Sequence, residues 1–471
     1  MEAKIFFGSQ SATKAELSER HSPFDDRVVS TAPICDAEDT KKALKIAQMA
    51  TKAAKASTVA QRCSWLLDVA QKLRENREDI ARTITDEVGK PLMFSRVEVD
   101  RAIETVTLSA ETMRTMHGET INTDAMASGK KTISYFFREP VGVVSAITPF
   151  NFPLNLVAHK LAPALVSGNC VVLKPTPEAP LTAYKFAKLF VESEYAVKDA
   201  LSVVYGDVEV GATLVENDIP RVISFTGSVP VGNIITRSAG IKKISLELGG
   251  NAATFIDKSA DIALAAQRCT LGAFVNSGQV CISLQRIYVH EDIYDEFATK
   301  MAEETAKLKV GSPYDEETFM GPVINDEAAE RAMGWVQSAI DEGARAMFEP
   351  KCEGRMFYPC VMADVRDDMA IVCEEVFAPI VSLVKVKDFD DAMPRMNDSP
   401  YGLQFSIFTN DLKLTQRAIS ELDAGGIVIN DMPTLRFDIQ PYGGVKLSGV
   451  GREGPRFAIE EFTEIKSVVI A

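Results

Sequence analysis

Four short stretches of this chain combine residue types that can do covalent or ionic chemistry. In Gly278-Gln279-Val280-Cys281 a cysteine stands in a polar, glycine-containing turn after Leu271–Val275. Exposed loop amides suit a reactive thiolate, whereas a free cysteine taken singly is usually a small buried hydrophobe. In Leu246-Glu247-Leu248-Gly249-Gly250-Asn251 a carboxylate sits in an otherwise apolar strand end. A charge there is costly unless it is paired or protonated, so Glu247 is either a salt-bridged structural residue or a carboxyl of altered acidity. In Pro149-Phe150-Asn151-Phe152-Pro153 the amide of Asn151 serves either the turn or a developing oxyanion. The fourth stretch, Thr226-Gly227-Ser228-Val229-Pro230-Val231-Gly232, follows the β-like run Arg221–Phe225 and precedes a helical one. Glycine at such a turn lets backbone amides approach a phosphate at a helix N-terminus; the plain alternative is a tight turn. Lys174, after Cys170–Leu173, stands where an amine can reach a ribose or phosphate, or simply ends the strand. Two such strand ends in one sheet are what a dinucleotide site requires.

The elements that must position these residues can be read around them. Short β-rich runs at Gly142–Thr148, Cys170–Lys174, Leu201–Tyr205, Arg221–Phe225 and Lys243–Leu248 alternate with helical stretches such as 180–194 and 230–238. That alternation predicts βαβ units and a mostly parallel sheet, with ligands beyond the strands' carboxyl ends. Upstream, 36–56 and 95–115 read as helices, and Thr58 with Gln61 reads as a capping box ahead of a helix whose apolar face is Leu66, Val69, Ala70 and Leu73. A second α/β region spans about 251–435, with strands at Arg286–His290, near 376–387 and at 426–430, and a helix aligning Ile293, Phe297 and Met301. The β-like run Ile465–Ile470 must dock on something, a partner subunit's sheet being one candidate.

Composition narrows the classes. With 471 residues the expectation is about two to four domains. The 46% hydrophobic and 25% charged content is that of a globular protein. The net charge of −15 argues against nucleic acid or an anionic membrane as partner, and any anionic substrate would need a local cationic site. The longest weakly charged region, 140–173, has Lys160 as its only Lys, Arg, Asp or Glu, and its prolines and asparagines argue for buried strands and loops over a membrane span. Met1-Glu2-Ala3-Lys4 opens onto only a short apolar run, with no leader pattern. Eight unsegregated cysteines without a C-x-x-C pair suggest a reducing, cytoplasmic setting. Four histidines without HExxH give no expectation of a metal.

Seven motifs, in order, resemble the aldehyde dehydrogenase superfamily: Pro149–Pro153, Lys174-Pro175, Phe225–Ser228, Glu247–Gly250, Gly278–Cys281, Glu375-Val376-Phe377-Ala378-Pro379 and Pro441-Tyr442-Gly443-Gly444-Val445-Lys446-Leu447-Ser448-Gly449. The resemblance covers essentially the whole chain and is nearest to the non-phosphorylating glyceraldehyde-3-phosphate and lactaldehyde dehydrogenases. It implies an α/β fold: a Rossmann-like cofactor domain (1–117 and 138–246), a catalytic α/β domain (247–440) and a small β oligomerisation arm (118–137 and 456–471) making dimers or tetramers. It implies Cys281 as nucleophile, Glu247 as general base and Asn151 as oxyanion donor. It implies NADP or NAD as cofactor, held by Thr148, Pro149, Phe150, Lys174, Thr176, Pro177, Gly206, Gly211, Phe225, Thr226, Gly227, Ser228, Leu248, Gly249, Glu375 and Phe377. Arg101 and Arg436 resemble the group's anion-binding arginines, while Val280 stands where a third would precede the nucleophile. Many members that use NAD carry a Glu where this chain has Pro177, with Glu178 one residue further on, which leaves NADP open. The implied reaction is oxidation of a short hydroxy- or anion-bearing aldehyde to its acid through a thiohemiacetal and a thioester. The candidate substrates are lactaldehyde, glyceraldehyde 3-phosphate, sulfolactaldehyde and succinate semialdehyde. The presence of Glu247 speaks against a CoA-acylating relative, and the intact Cys281, Glu247 and Asn151 against a non-catalytic binding protein.

Overall fold

The computed structural model describes residues 1–471. Its first sheet has eight strands in the order Gln10–Ala12, Ile5–Phe7, Leu201–Val203, Cys170–Lys174, Val143–Ile147, Val222–Thr226, Lys243–Glu247 and Gly449–Val450. The strands from Leu201–Val203 to Lys243–Glu247 run parallel, and they agree with the sequence reading to within two residues. Every residue of Val143–Ile147, Cys170–Lys174 and Val222–Thr226 is buried, because helices cover both faces of such a sheet; hence the continuous apolar runs. The chain steps outward from Val143–Ile147 to Leu201–Val203 and then returns to lay Val222–Thr226 on the other side of Val143–Ile147. That reversal opens a crevice beyond the strands' carboxyl ends.

The amino-terminal helices Ala37–Ala56, Val59–Glu75, Arg77–Val88 and Leu92–Thr115 contribute to one core of 67 buried residues with this sheet. Thr58 caps its helix by accepting from the Gln61 N–H, but the reciprocal bond of a capping box is missing: the Gln61 amide donates instead to the Tyr195 carbonyl. The full box belongs to Asp36 and Asp39, one helix earlier.

A second sheet has the order Arg345–Ala346, Cys360–Ala363, Ile380–Val386, Leu284–His290, Ala252–Ile256, Gln404–Phe408 and Gly426–Ile429, parallel except for its first edge strand. Alternate residues feed two separate cores: Phe255, Val384 and Phe405 on one face, Ile256, Leu383 and Phe408 on the other. Glu247 therefore ends one strand of the first sheet and Ala252 begins a strand of the second, with four residues between them.

A third, three-stranded antiparallel sheet joins Glu119–Thr120, Ile133–Pro140 and Thr463–Ile470. The terminal strand docks within its own chain, from Thr463 opposite Pro140 to Ile470 opposite Ile133, and its other edge is open. Residues 455–461, which the sequence reading assigns in large part to the arm, form a helix whose Ala458 and Ile459 lie in the first core. No helix is long and apolar enough to cross a membrane.

Candidate active site

The crevice at the reversal is a groove of about 490 Å³. Thr148 and Pro149 reach it from Val143–Ile147, Lys174, Thr176 and Pro177 from Cys170–Lys174, and Gly211 from the helix Val208–Glu216. Phe225, Thr226, Gly227 and Ser228 bring the turn that leads into the helix Val229–Ser238. The hydroxyls of Thr148 and Thr226 are buried there without a hydrogen-bond partner. Burial pushes the Lys174 amine below its usual range, opposed by Asp207 and Glu178. Glu178 also lines the groove, accepting from the Thr176 hydroxyl. The carboxylate absent at position 177 is thus supplied to the same groove one residue later.

A second cavity, of about 230 Å³, holds Cys281 and Glu247, and Thr226 lines both spaces. The loop before Cys281 has three consecutive left-handed residues, Asn276 (φ 53°), Ser277 (φ 55°) and Gly278 (φ 71°). Such backbone is costly for non-glycine residues and persists only where neighbours enforce it. Here Ser277 Oγ donates to the Gly321 carbonyl at 2.7 Å, and the Ile324 N–H donates to Gln279 Oε1 at 2.9 Å. A Cβ at position 278 would strike the Ala378 carbonyl. The turn leaves Cys281 partly exposed in the cavity wall, with its Sγ 2.9 Å from the Tyr442 hydroxyl. Burial pushes the Cys281 thiol up to about 11, while the Tyr442 hydroxyl and Arg436 pull the other way. Asn151 is not on the cavity lining, although its neighbour Phe152 is; one of its amide hydrogens goes to the Gln279 carbonyl at 3.0 Å.

Glu247 is 3% exposed, and neither carboxyl oxygen has a hydrogen-bond partner. Burial, and then the negative charge of Glu453, raise its pKa well above the carboxylate range, against Arg436, Lys160 and Arg452. Glu453 behaves oppositely: burial raises it, but Lys160, His159 and Arg436 outweigh that and hold it near 2. Lys160 Nζ donates to Glu453 at 3.3 Å, and Arg436 Nη2 donates to the same residue at 3.1 Å. Arg101 grips Asp438 with two bonds of 2.9 and 2.7 Å, and His159 Nε2 lies 3.0 Å from that carboxylate. Arg101 and Arg436 both line the cavity, as a pair of anion-binding arginines would, but both are already ion-paired.

Six residues read as cofactor contacts line neither space. Gly206 (φ 147°) turns the chain beyond Leu201–Val203, and Leu248 packs so closely on Gly232 that a Cβ there would lie 2.7 Å from it. Glu375 is packed against Gly249 and accepts from the Gly250 N–H at 3.1 Å; burial lifts its carboxyl to about 7. Phe150 and Phe377 meet edge to face, 6.0 Å between centroids. Tyr442, Glu453, Asp438, His159 and Thr434 also belong to the site, and no local sequence pattern gives them a role. One signal did exist: Lys160, the sole charge in 140–173, needed a buried partner, and Glu453 is that partner.

The family model described as "Aldehyde dehydrogenase family" matches residues 10–468. The chain belongs to the aldehyde dehydrogenase family. It is 41% identical over 467 residues to a 3-sulfolactaldehyde dehydrogenase of Priestia megaterium, covering 99% of this chain and 97% of that one. It is 39% identical over 454 residues to a lactaldehyde dehydrogenase of Methanococcus aeolicus, covering 95% and 96%. Among solved structures of aldehyde dehydrogenases, the NADP-dependent glyceraldehyde-3-phosphate dehydrogenase of Bacillus halodurans, complexed with NADP, superposes with a TM-score of 0.97. It is 32% identical, with coverage of 100% of this chain and 99% of that one. These aldehyde dehydrogenases bear out the superfamily resemblance and its nearest group.

Proposed function

We propose that this aldehyde dehydrogenase oxidises a short 2-hydroxyaldehyde carrying a single negative charge to its carboxylic acid, with NADP or NAD in the groove. The observation that carries the reading is the junction at Thr226, where a dinucleotide-sized groove meets a small cavity holding a cysteine and an unpartnered carboxyl. The groove suits a dinucleotide: it offers Lys174 and the unpartnered Thr148 and Thr226 hydroxyls, at a helix N-terminus that favours phosphate. When bound, the nicotinamide supplies the acceptor for a hydride.

The chain's own residues do the rest. The Cys281 thiolate attacks the aldehyde carbon; a C–S bond forms, and the carbonyl π pair moves to oxygen. The backbone N–H of Cys281 is one donor for that oxyanion, and the second amide hydrogen of Asn151, beside the lining residue Phe152, is the other once the side chain turns toward the cavity. Loss of hydride leaves a thioester on Cys281. Glu247, as carboxylate, takes a proton from water whose oxygen adds to the thioester carbon; the C–S bond breaks and the thiolate returns.

Charge and unpartnered donors support the substrate class. Arg101, Arg436, Lys160 and Arg452 face the three carboxyls of Asp438, Glu453 and Glu247, which leaves one positive charge in excess when all three carboxyls are ionised. That balance suits a monoanion such as a sulfonate better than a phosphate dianion. Thr434 Oγ1 is buried without a hydrogen-bond partner in the cavity wall, free to bond a substrate oxygen, and Arg436 Nε, 3.6 Å from Asp438, has no hydrogen bond of its own. The three-stranded arm, with Ile465 and Val469 exposed on its open edge strand, is the surface for a dimer or tetramer.

The deciding experiment is a panel of lactaldehyde, sulfolactaldehyde, succinate semialdehyde and glyceraldehyde 3-phosphate with NAD and with NADP, followed by nicotinamide absorbance. Sulfolactaldehyde should give the highest kcat/KM, Arg436→Leu should raise KM for anionic aldehydes at least tenfold, and Cys281→Ala should abolish turnover. Activity surviving in Cys281→Ala overturns the mechanism, and a preference for the dianion overturns the charge argument.

A further inference from the structure

Tyr442 belongs to the Pro-Tyr-Gly-Gly stretch and has no part in the steps above, yet its hydroxyl is in hydrogen-bond contact with the sulfur. Its backbone is locked: the Tyr442 N–H donates to the Glu453 carbonyl at 3.1 Å, and the Glu453 N–H returns a bond of 2.7 Å. Val280, Ile282 and Leu403 cluster with its ring. The guanidinium of Arg436 stacks on the ring, 3.7 Å from the centroid. The hydroxyl then reaches Cys281 Sγ at 2.9 Å and makes no other hydrogen bond.

We propose that Tyr442 is a further catalytic residue: its phenol, polarised by Arg436 on the ring face, donates a hydrogen bond to the Cys281 thiolate and holds the sulfur for attack. The direction of that bond follows from the surroundings. Burial keeps the phenol protonated far into the alkaline range, so it is the donor, and a thiolate is a better acceptor than a thiol. A cation on the ring face draws electron density from the ring and sharpens the hydroxyl as a donor. The groups acting on the sulfur are Tyr442 and Arg436, which favour the thiolate, and Glu247 and Glu375, which oppose it. Tyr442 keeps its proton throughout; the thiol proton leaves to water. Arg436 thus acts on the nucleophile through the ring as well as on the substrate. The proposal rests on Cys281 being the nucleophile.

Its test reads the thiol rather than turnover, so it stands apart from the fate of the proposed reaction. The rate of Cys281 alkylation by iodoacetamide is measured against pH, with Cys281→Ala as background. Hydrogen bonds to charged groups are worth enough that Tyr442→Phe, which keeps the ring and its stack on Arg436, should raise the thiol pKa by about one unit. Alkylation well below that pKa should then slow about tenfold, since each unit is a factor of ten. Replacing Tyr442 by 3-fluorotyrosine, whose phenol is more acidic, should lower the thiol pKa and guards against a folding defect in the first variant. The expected order is phenylalanine above tyrosine above fluorotyrosine. A flat or reversed series overturns the proposal. Aldehyde turnover persisting in Cys281→Ala would sink the proposed reaction while leaving this series readable.

Discussion

In the proposed reaction Cys281 must lose a proton to attack, and Glu247 must be ionised to accept one from water. Burial raises both pKa values, so both steps gain as pH rises, and kcat should climb through neutral toward alkaline pH. Glu453 is the lever on the second step. Its negative charge raises the Glu247 pKa, and it engages the cations Lys160 and Arg436. Glu453→Gln removes that charge and leaves both cations to act on Glu247, which lowers the Glu247 pKa. The acid limb of the single-turnover thioester hydrolysis rate should therefore move to lower pH. An acid limb that moves up, or stays, would show that Glu453 does not govern Glu247. At this scale the sequence was partly legible. Glu247 stood out because a carboxylate in an apolar strand end carries a local cost, and Cys281 because its loop is polar. The cluster around them was not legible: Arg101 and Asp438 are 337 positions apart, and His159 and Arg436 are 277 apart. No local pattern links such residues, and their pairing follows only from the folded arrangement of both sheets.

The strands of the first sheet were readable because burial on both faces makes each a continuous apolar run, and the turn after Val222–Thr226 because glycine punctuates it. The loop carrying Cys281 was readable as a turn but not as a strained one, since its left-handed pair Asn276 and Ser277 is imposed by bonds to distant residues such as Gly321. The same loop gives a sharp test of how an element serves the site. Gly278→Ala meets a positive φ, which costs an L-residue about 1–3 kcal/mol, together with a collision against the Ala378 carbonyl. The expected outcome is a lower melting temperature and a Cys281 that alkylates abnormally at every pH, with groove binding of NADP retained. A variant with normal alkylation would show that the loop tolerates the shift.

For the whole molecule, the net charge of −15 sets a field that opposes an anionic aldehyde, while the arginines proposed to attract it are confined to one cavity. Added salt screens the long-range repulsion over roughly a Debye length of 10 Å at 0.1 M, but screens the buried arginines much less. For an anionic aldehyde kcat/KM should therefore rise with moderate salt, whereas for lactaldehyde it should stay flat; a fall for the anion would mean that steering is attractive overall. The order of parts along the chain has a consequence for synthesis. Cys281 emerges from the ribosome long before Arg436, Tyr442 and Glu453, and the last strand of the first sheet, Gly449–Val450, comes from the same late stretch. A nascent chain carries the cysteine without the groups that ready it. Until translation is almost finished the sulfur belongs to an exposed segment, neither buried nor held by Tyr442, so the half-made protein relies on its surroundings to keep this thiol reduced.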